Sequence, residues 1–132
     1  MKCLVFVLLA FTVLECNAQK SDYEQIMSET LENSELKKFL HLDLESRTPV
    51  FIYKNEWIED ELSLEGLSYE VQIVDDTTGT NGNIIRFLEL SVDDSTAKFS
   101  LYYKIENMSM RGTLKKIVGK WHMDKIDEIV EF

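Results

Sequence analysis

The spacing of apolar positions divides the chain into a helical opening and a strand-rich remainder. Tyr23, Ile26, Met27, Thr30 and Leu31 recur at helical spacing on one face. Ser21 precedes Glu24 by three residues, the spacing of a capping box. Asp22 and Glu24 also suit the positive end of a helix dipole. The pattern slips at Asn33-Ser34 and restarts with Leu36, Phe39 and Leu40, which predicts a second short helix. Pro49 closes this region, because a proline turns the residue before it away from helical geometry.

Beyond Pro49 the period changes from helix to strand. Val50 to Tyr53 is a short apolar run, and Tyr69, Val71 and Ile73 alternate with Glu70 and Gln72. Ile84 to Val92 is apolar at both parities, which predicts a strand covered on both faces. Ala97, Phe99, Leu101, Tyr103 and Ile105 alternate with Lys98, Ser100, Lys104 and Glu106, the clearest period of two in the chain. Leu114–Val118 and Trp121–Met123 flank Gly119-Lys120, a two-residue hairpin candidate. Trp121 and Met123 share one parity while Ile126 and Val130 take the other, so a bulge near Lys125 would restore one buried face. Asp75 to Asn83 is a polar turn in which Asn81-Gly82 supplies positive φ. Residues 56–65 fit either a short helix or a loop. The expectation is an α+β domain: an N-terminal helix or helix pair packed on a curved antiparallel sheet of about five to six strands.

Composition adds a compartment. Residues Met1–Ala18 carry one basic residue, Lys2, an apolar run from Leu4 to Leu14, and small residues at Cys16 and Ala18. That is the layout of a secretory signal peptide cleaved near Ala18/Gln19. The run is too short to span a bilayer, which needs roughly 20 residues. The predicted organisation is therefore a leader over 1–18 and one domain over 19–132, secreted or periplasmic, with no membrane insertion after cleavage. Both cysteines, Cys3 and Cys16, lie in the leader, so the mature chain is expected to hold its fold without disulfides. Thirteen Lys/Arg against twenty-three Asp/Glu leave the mature chain at −10. Nucleic acid is excluded as a partner on that balance, because phosphate binding needs clustered cations.

The closing third carries a recognisable pattern: Ala97-x-Phe99-x-Leu101-Tyr102-Tyr103, Met108-x-Met110-x-Gly112-x-Leu114-x-Lys116 and Gly119-x-Trp121-x-Met123. Over roughly residues 84–131 it resembles the last strands of NTF2-like, cystatin-superfamily α+β cone domains, most of all the small exported Bacteroidetes type. The resemblance implies a cone-shaped sheet with an interior ligand site. Gln72-Ile73-Val74 is similar to the start of the cystatin inhibitory loop, but Asp76 stands where that loop needs glycine.

Candidate chemistry is sparse. Glu89 shares parity with Ile85 and Phe87, and a carboxylate among apolar neighbours is the chemistry of a general base. Arg86, Tyr102, Tyr103 and Trp121 are candidate binding residues, lining a cone or an open sheet face. Met108, Met110, His122 and Met123 are candidate Cu(I) ligands, since thioethers and imidazole suit that ion. Packing in the core is the plainer reading of the methionines. Asp75 to Gly82 lacks the order of an EF-hand loop. Asn107-Met108-Ser109 is a glycosylation sequon in a eukaryotic host. No cofactor is expected. The leading expectation is an exported, non-enzymatic binding domain for a small apolar ligand in the cone or a protein on the sheet face. The alternatives are an enzyme of the same fold with Glu89 as base, and a structural or assembly protein acting as a homodimer through the open sheet.

Overall fold

The computed structural model describes residues 22–58, 64 and 66–132. The predicted leader, its cleavage site, the Ser21 cap and most of 59–65 lie outside the described residues. Helix α1 occupies 22–31 and buries Ile26, Met27, Thr30 and Leu31, the face its spacing predicts. Helix α2, Ser34–Leu40, begins where the period restarts. Asn33 caps it: the side-chain oxygen accepts from the Glu35 and Leu36 amides at 2.9 and 3.4 Å. That supplies partners for two of the amide groups a helix start leaves open.

Six strands follow: β1 Val50–Tyr53, β2 Val71–Val74, β3 Ile84–Val92, β4 Thr96–Tyr103, β5 Met108–Ile117 and β6 Lys120–Glu131. They form one sheet in the order β2-β1-β3-β4-β5-β6. The expected all-antiparallel sheet is corrected at one side. β1 pairs parallel with both β2 and β3, and only β3 to β6 form an antiparallel meander. The physical reason is the connection. The segment from 54 to 70 is long enough to return the chain to the same end of the sheet, and parallel neighbours need such a crossover.

The inner face of the sheet packs on the helices. Leu31, Leu36, Leu40, Ile52, Leu101 and Tyr103 are fully buried in one continuous core. Two polar contacts fix α1 across this face. At its start Asp22 accepts from the Trp121 indole at 2.9 Å and from Lys116 at 3.2 Å. At its end the Leu31 carbonyl accepts from the Tyr69 hydroxyl at 2.6 Å. Tyr69 is held largely out of water, which pushes its hydroxyl pKa up, with Glu32 and Tyr103 adding to the effect. Next to it, the Glu32 carboxylate takes the Ser68 amide and hydroxyl and pairs with Lys37.

Close packing governs one cross-strand pair. Phe99 on β4 lies opposite Gly112 on β5. A Cβ at 112 would stand 2.5 Å from Phe99 Cε1 and 2.9 Å from the Lys125 carbonyl oxygen. The glycine makes room for the ring, which covers its backbone in return.

Gly112→Ala is expected to lower stability by about 2 kcal/mol, the usual cost of overpacking a filled site. Urea unfolding checks this, and an unchanged midpoint would contradict the packing. A second expectation concerns pH. Partial burial works to raise the Glu32 pKa, but Lys37 and Ser68 outweigh it and the folded value is lowered. Its contribution to stability is therefore present above the ordinary glutamate value and lost as pH falls through the folded one. Glu32→Gln should lose less stability than the unmutated chain between neutral and acidic pH, measured by unfolding midpoints across a pH series.

Candidate functional site

A single inserted residue decides which side chains face outward. Phe87 pairs with Leu101 and Glu89 with Ser100, so Leu88 is extra and forms a bulge in β3. Before the bulge Ile85 and Phe87 face the core; after it Leu90 and Val92 do. Glu89 is thereby turned to the outer face, where it is exposed. This corrects the expected apolar surroundings of Glu89, and with them the ground for a general base. It also corrects the reading of β3 as covered on both faces, since Leu88 is 58% exposed.

The outer face of β3 to β6 reads as cross-strand rows. One row runs Arg86, Tyr102, Ser109, Val130, and the next runs Glu89, Ser100, Arg111, Glu128. The Arg86 guanidinium lies 4.4 Å from the Tyr53 ring centroid, a cation–π contact. Tyr102 donates to the Asn107 side-chain oxygen at 2.6 Å, and Arg111 pairs with Glu128. Between these rows is a shallow depression of about 590 Å³, whose lining includes Leu88, Tyr102, Arg111, Val130 and Phe132. Phe132 is 75% exposed at its rim and tied to Asn107 through backbone.

The predicted site residues separate on this geometry. Arg86 and Tyr102 are direct cross-strand partners on the outer face. Tyr103 and Trp121 face inward and are buried in the core. The candidate copper ligands do not converge: Met108 and Met110 are fully buried and Met123 packs against the core, whereas His122 is exposed beside Lys115. Among the described residues no group of three or more His, Cys, Asp or Glu side chains is placed to hold a metal ion.

A polar cluster that the sequence does not announce lies where β3 and β4 meet the turn before β1. Asn83 is 1% exposed; its amide donates to the Arg47 and Pro49 carbonyls at 2.8 and 2.9 Å, and its oxygen accepts from the Tyr103 hydroxyl. Arg47 in turn holds Glu106 at 2.8 Å, and His41 approaches the same carboxylate at 3.3 Å. Burial raises the Tyr103 hydroxyl pKa, while Arg47 works against it. Among the described residues no buried side-chain nitrogen or oxygen lacks a partner, so the cluster is a clamp on the Arg47–Pro49 turn, and Asn83 is its centre. The turn preceding it is the expected one: Asn81 and Gly82 both have positive φ, and the Asn83 backbone N–H donates to the Thr80 carbonyl at 2.9 Å.

The hairpin joining β5 and β6 differs from its expected form. Its two loop residues are Val118 and Gly119, with φ of 51° and 76°, not Gly119 and Lys120. Val118 is 97% exposed and Ile117 55% exposed. The two bulges in β6, at Asp124 and Asp127, bracket the expected one near Lys125 and place Met123, Ile126 and Ile129, not Val130, on the inner face.

Asn83→Ala should cost about 2 kcal/mol, because it strands the buried Tyr103 hydroxyl and removes the donor to two part-buried carbonyls. Chemical unfolding of a variant with unchanged circular dichroism measures it, and a loss below ~1 kcal/mol would deny the clamp. Comparison of this chain with protein-family models, with curated proteins and with solved structures finds no match.

Proposed function

We propose that this chain is an exported, non-enzymatic binding domain that receives a protein partner on the outer face of its sheet. The observation that carries this reading is the depression around Leu88, Tyr102, Val130 and Phe132 on a sheet face whose apolar side chains stay open to solvent. Its lining joins the apolar Leu88, Val130 and Phe132 to Ser100, Ser109, Arg111 and Glu128, and interaction surfaces carry such a mix of apolar and polar groups. Tyr102 and Arg111 are of the residue types enriched at interfaces.

The interior offers less. Four inward-facing aromatics, Phe87, Phe99, Tyr103 and Trp121, are at most 3% exposed and fill the core. The sheet edges are also poor docking lines. β2 is only four residues long, and β6 is interrupted by two bulges carrying Asp124 and Asp127. Short strands, bulges and charges are what keep an edge from pairing with another chain. A partner therefore meets the face. The NTF2-like kinship and export by the 1–18 leader belong to the same proposal, supported by the closing-strand motif and the leader's layout.

A photo-crosslinking residue at Leu88, compared with one at the exposed Asp43, tests the reading in the full chain expressed in its own host. Adducts to protein from position 88 and none from position 43 are expected. Equal labelling, or none at 88, would overturn it.

A further inference from the structure

Turn chemistry does not account for Val118. A two-residue hairpin loop with positive φ at both positions is served by Asn-Gly or Gly-Gly. A β-branched residue at positive φ is an outlier, because its Cβ substituents crowd the backbone. Yet the loop carries a valine there, with φ 51° and its side chain almost wholly in water. Ile117 beside it is also mostly exposed. Neither local conformation nor packing within the chain explains two adjacent exposed aliphatic residues at a projecting tip. Strain held at one position points to what that position does.

The same molecule carries a shallow depression whose exposed lining is mostly apolar, although Ser100, Ser109, Arg111 and Glu128 share it. It lies on the outer face around Leu88, Tyr102, Val130 and Phe132. The tip cannot fold onto its own hole. The two are separated along β5 by the residues from Arg111 to Val118, about 23 Å of extended strand. Charge also matches across the pair. Lys120 flanks the tip and has no carboxylate partner among the described residues, and Glu89 stands beside Leu88 with no cation partner among them.

We infer that the Ile117–Val118 tip of one copy inserts into the Leu88–Tyr102–Phe132 depression of a second copy, so that the chain assembles head to tail. This rests on the outer face being a protein-binding surface and names its occupant. Knob and hole lie on different parts of the molecule, so the contact is heterologous: each copy that accepts a tip still presents its own. The net charge of −10 opposes association at long range. At physiological ionic strength that repulsion is screened beyond about 8 Å, and the short-range contact remains.

Sedimentation velocity of the purified chain at physiological salt, across a wide concentration series, tests the inference. The expected result is a mass average that rises with concentration beyond a dimer. Val118→Asp removes the knob and Leu88→Asp the hole; each alone should be monomeric, and an equimolar mixture should form a dimer and nothing larger. Val118→Gly should also be monomeric while melting at a higher temperature, since it relieves the turn, which separates lost assembly from lost fold. A chain that stays monomeric throughout, or a mixture that stays monomeric, overturns the inference. If Leu88 crosslinks a different protein while the purified chain is monomeric, the outer-face reading stands and self-assembly falls. If position 88 crosslinks nothing, both fall.

Discussion

The inner face of this sheet has to stay apolar along strands as long as twelve residues, because it is the floor of the core. Strict alternation over that length fails in two strands. Extra residues at Leu88, Asp124 and Asp127 restore the phase, each adding one residue opposite none. Without the insertion at Leu88, Leu90 and Val92 would turn to solvent and Glu89 and Ser91 would turn inward. A one-residue slip moves every later side chain to the other face. The core, the outer face and the depression on it all follow from that correction of register.

Much of the fold is legible in the chain because it is written in period. The two helices, the alternation of β4 and the phase break in β6 each change the spacing of apolar residues. The bulge in β3 is hidden because Phe87-Leu88-Glu89-Leu90 offers leucine at either parity. Strand direction is hidden for a different reason: β1 and β2 are four residues each, and nothing in so short a run distinguishes parallel from antiparallel pairing. Of the site, Arg86 and Tyr102 can be picked out by their residue types. Leu88, Phe132 and Val118 cannot, since an apolar residue in sequence reads as core until its exposure is known. Asn83 is hidden inside a polar turn, where its neighbours suggest solvent.

Charge is distributed as unevenly as polarity. Residues 22–83 hold four Lys/Arg against fifteen Asp/Glu, whereas residues 84–132 hold eight of each. Of those eight cations, Arg86, Lys98, Arg111, Lys115, Lys120 and Lys125 stand on β3 to β6 at positions facing away from the core. The acidity is concentrated in the half containing the helices and parallel strands, and the sheet face is left close to neutral. A neutral, partly apolar face on an acidic molecule is a directed surface, because approach by any other side meets like charge.

Helix α1 reaches both margins of the sheet, through Trp121 of β6 at its start and Tyr69 beside β2 at its end. Sheet margins are where opening of a domain ordinarily begins, and each margin can usually fray alone. Here a single strut holds the two together. Loosening at one margin releases a contact of the helix that also secures the other, which couples the two margins. Residues 19–132 contain no cysteine, and the helix gives these distant strands the coupling that a disulfide would otherwise supply covalently.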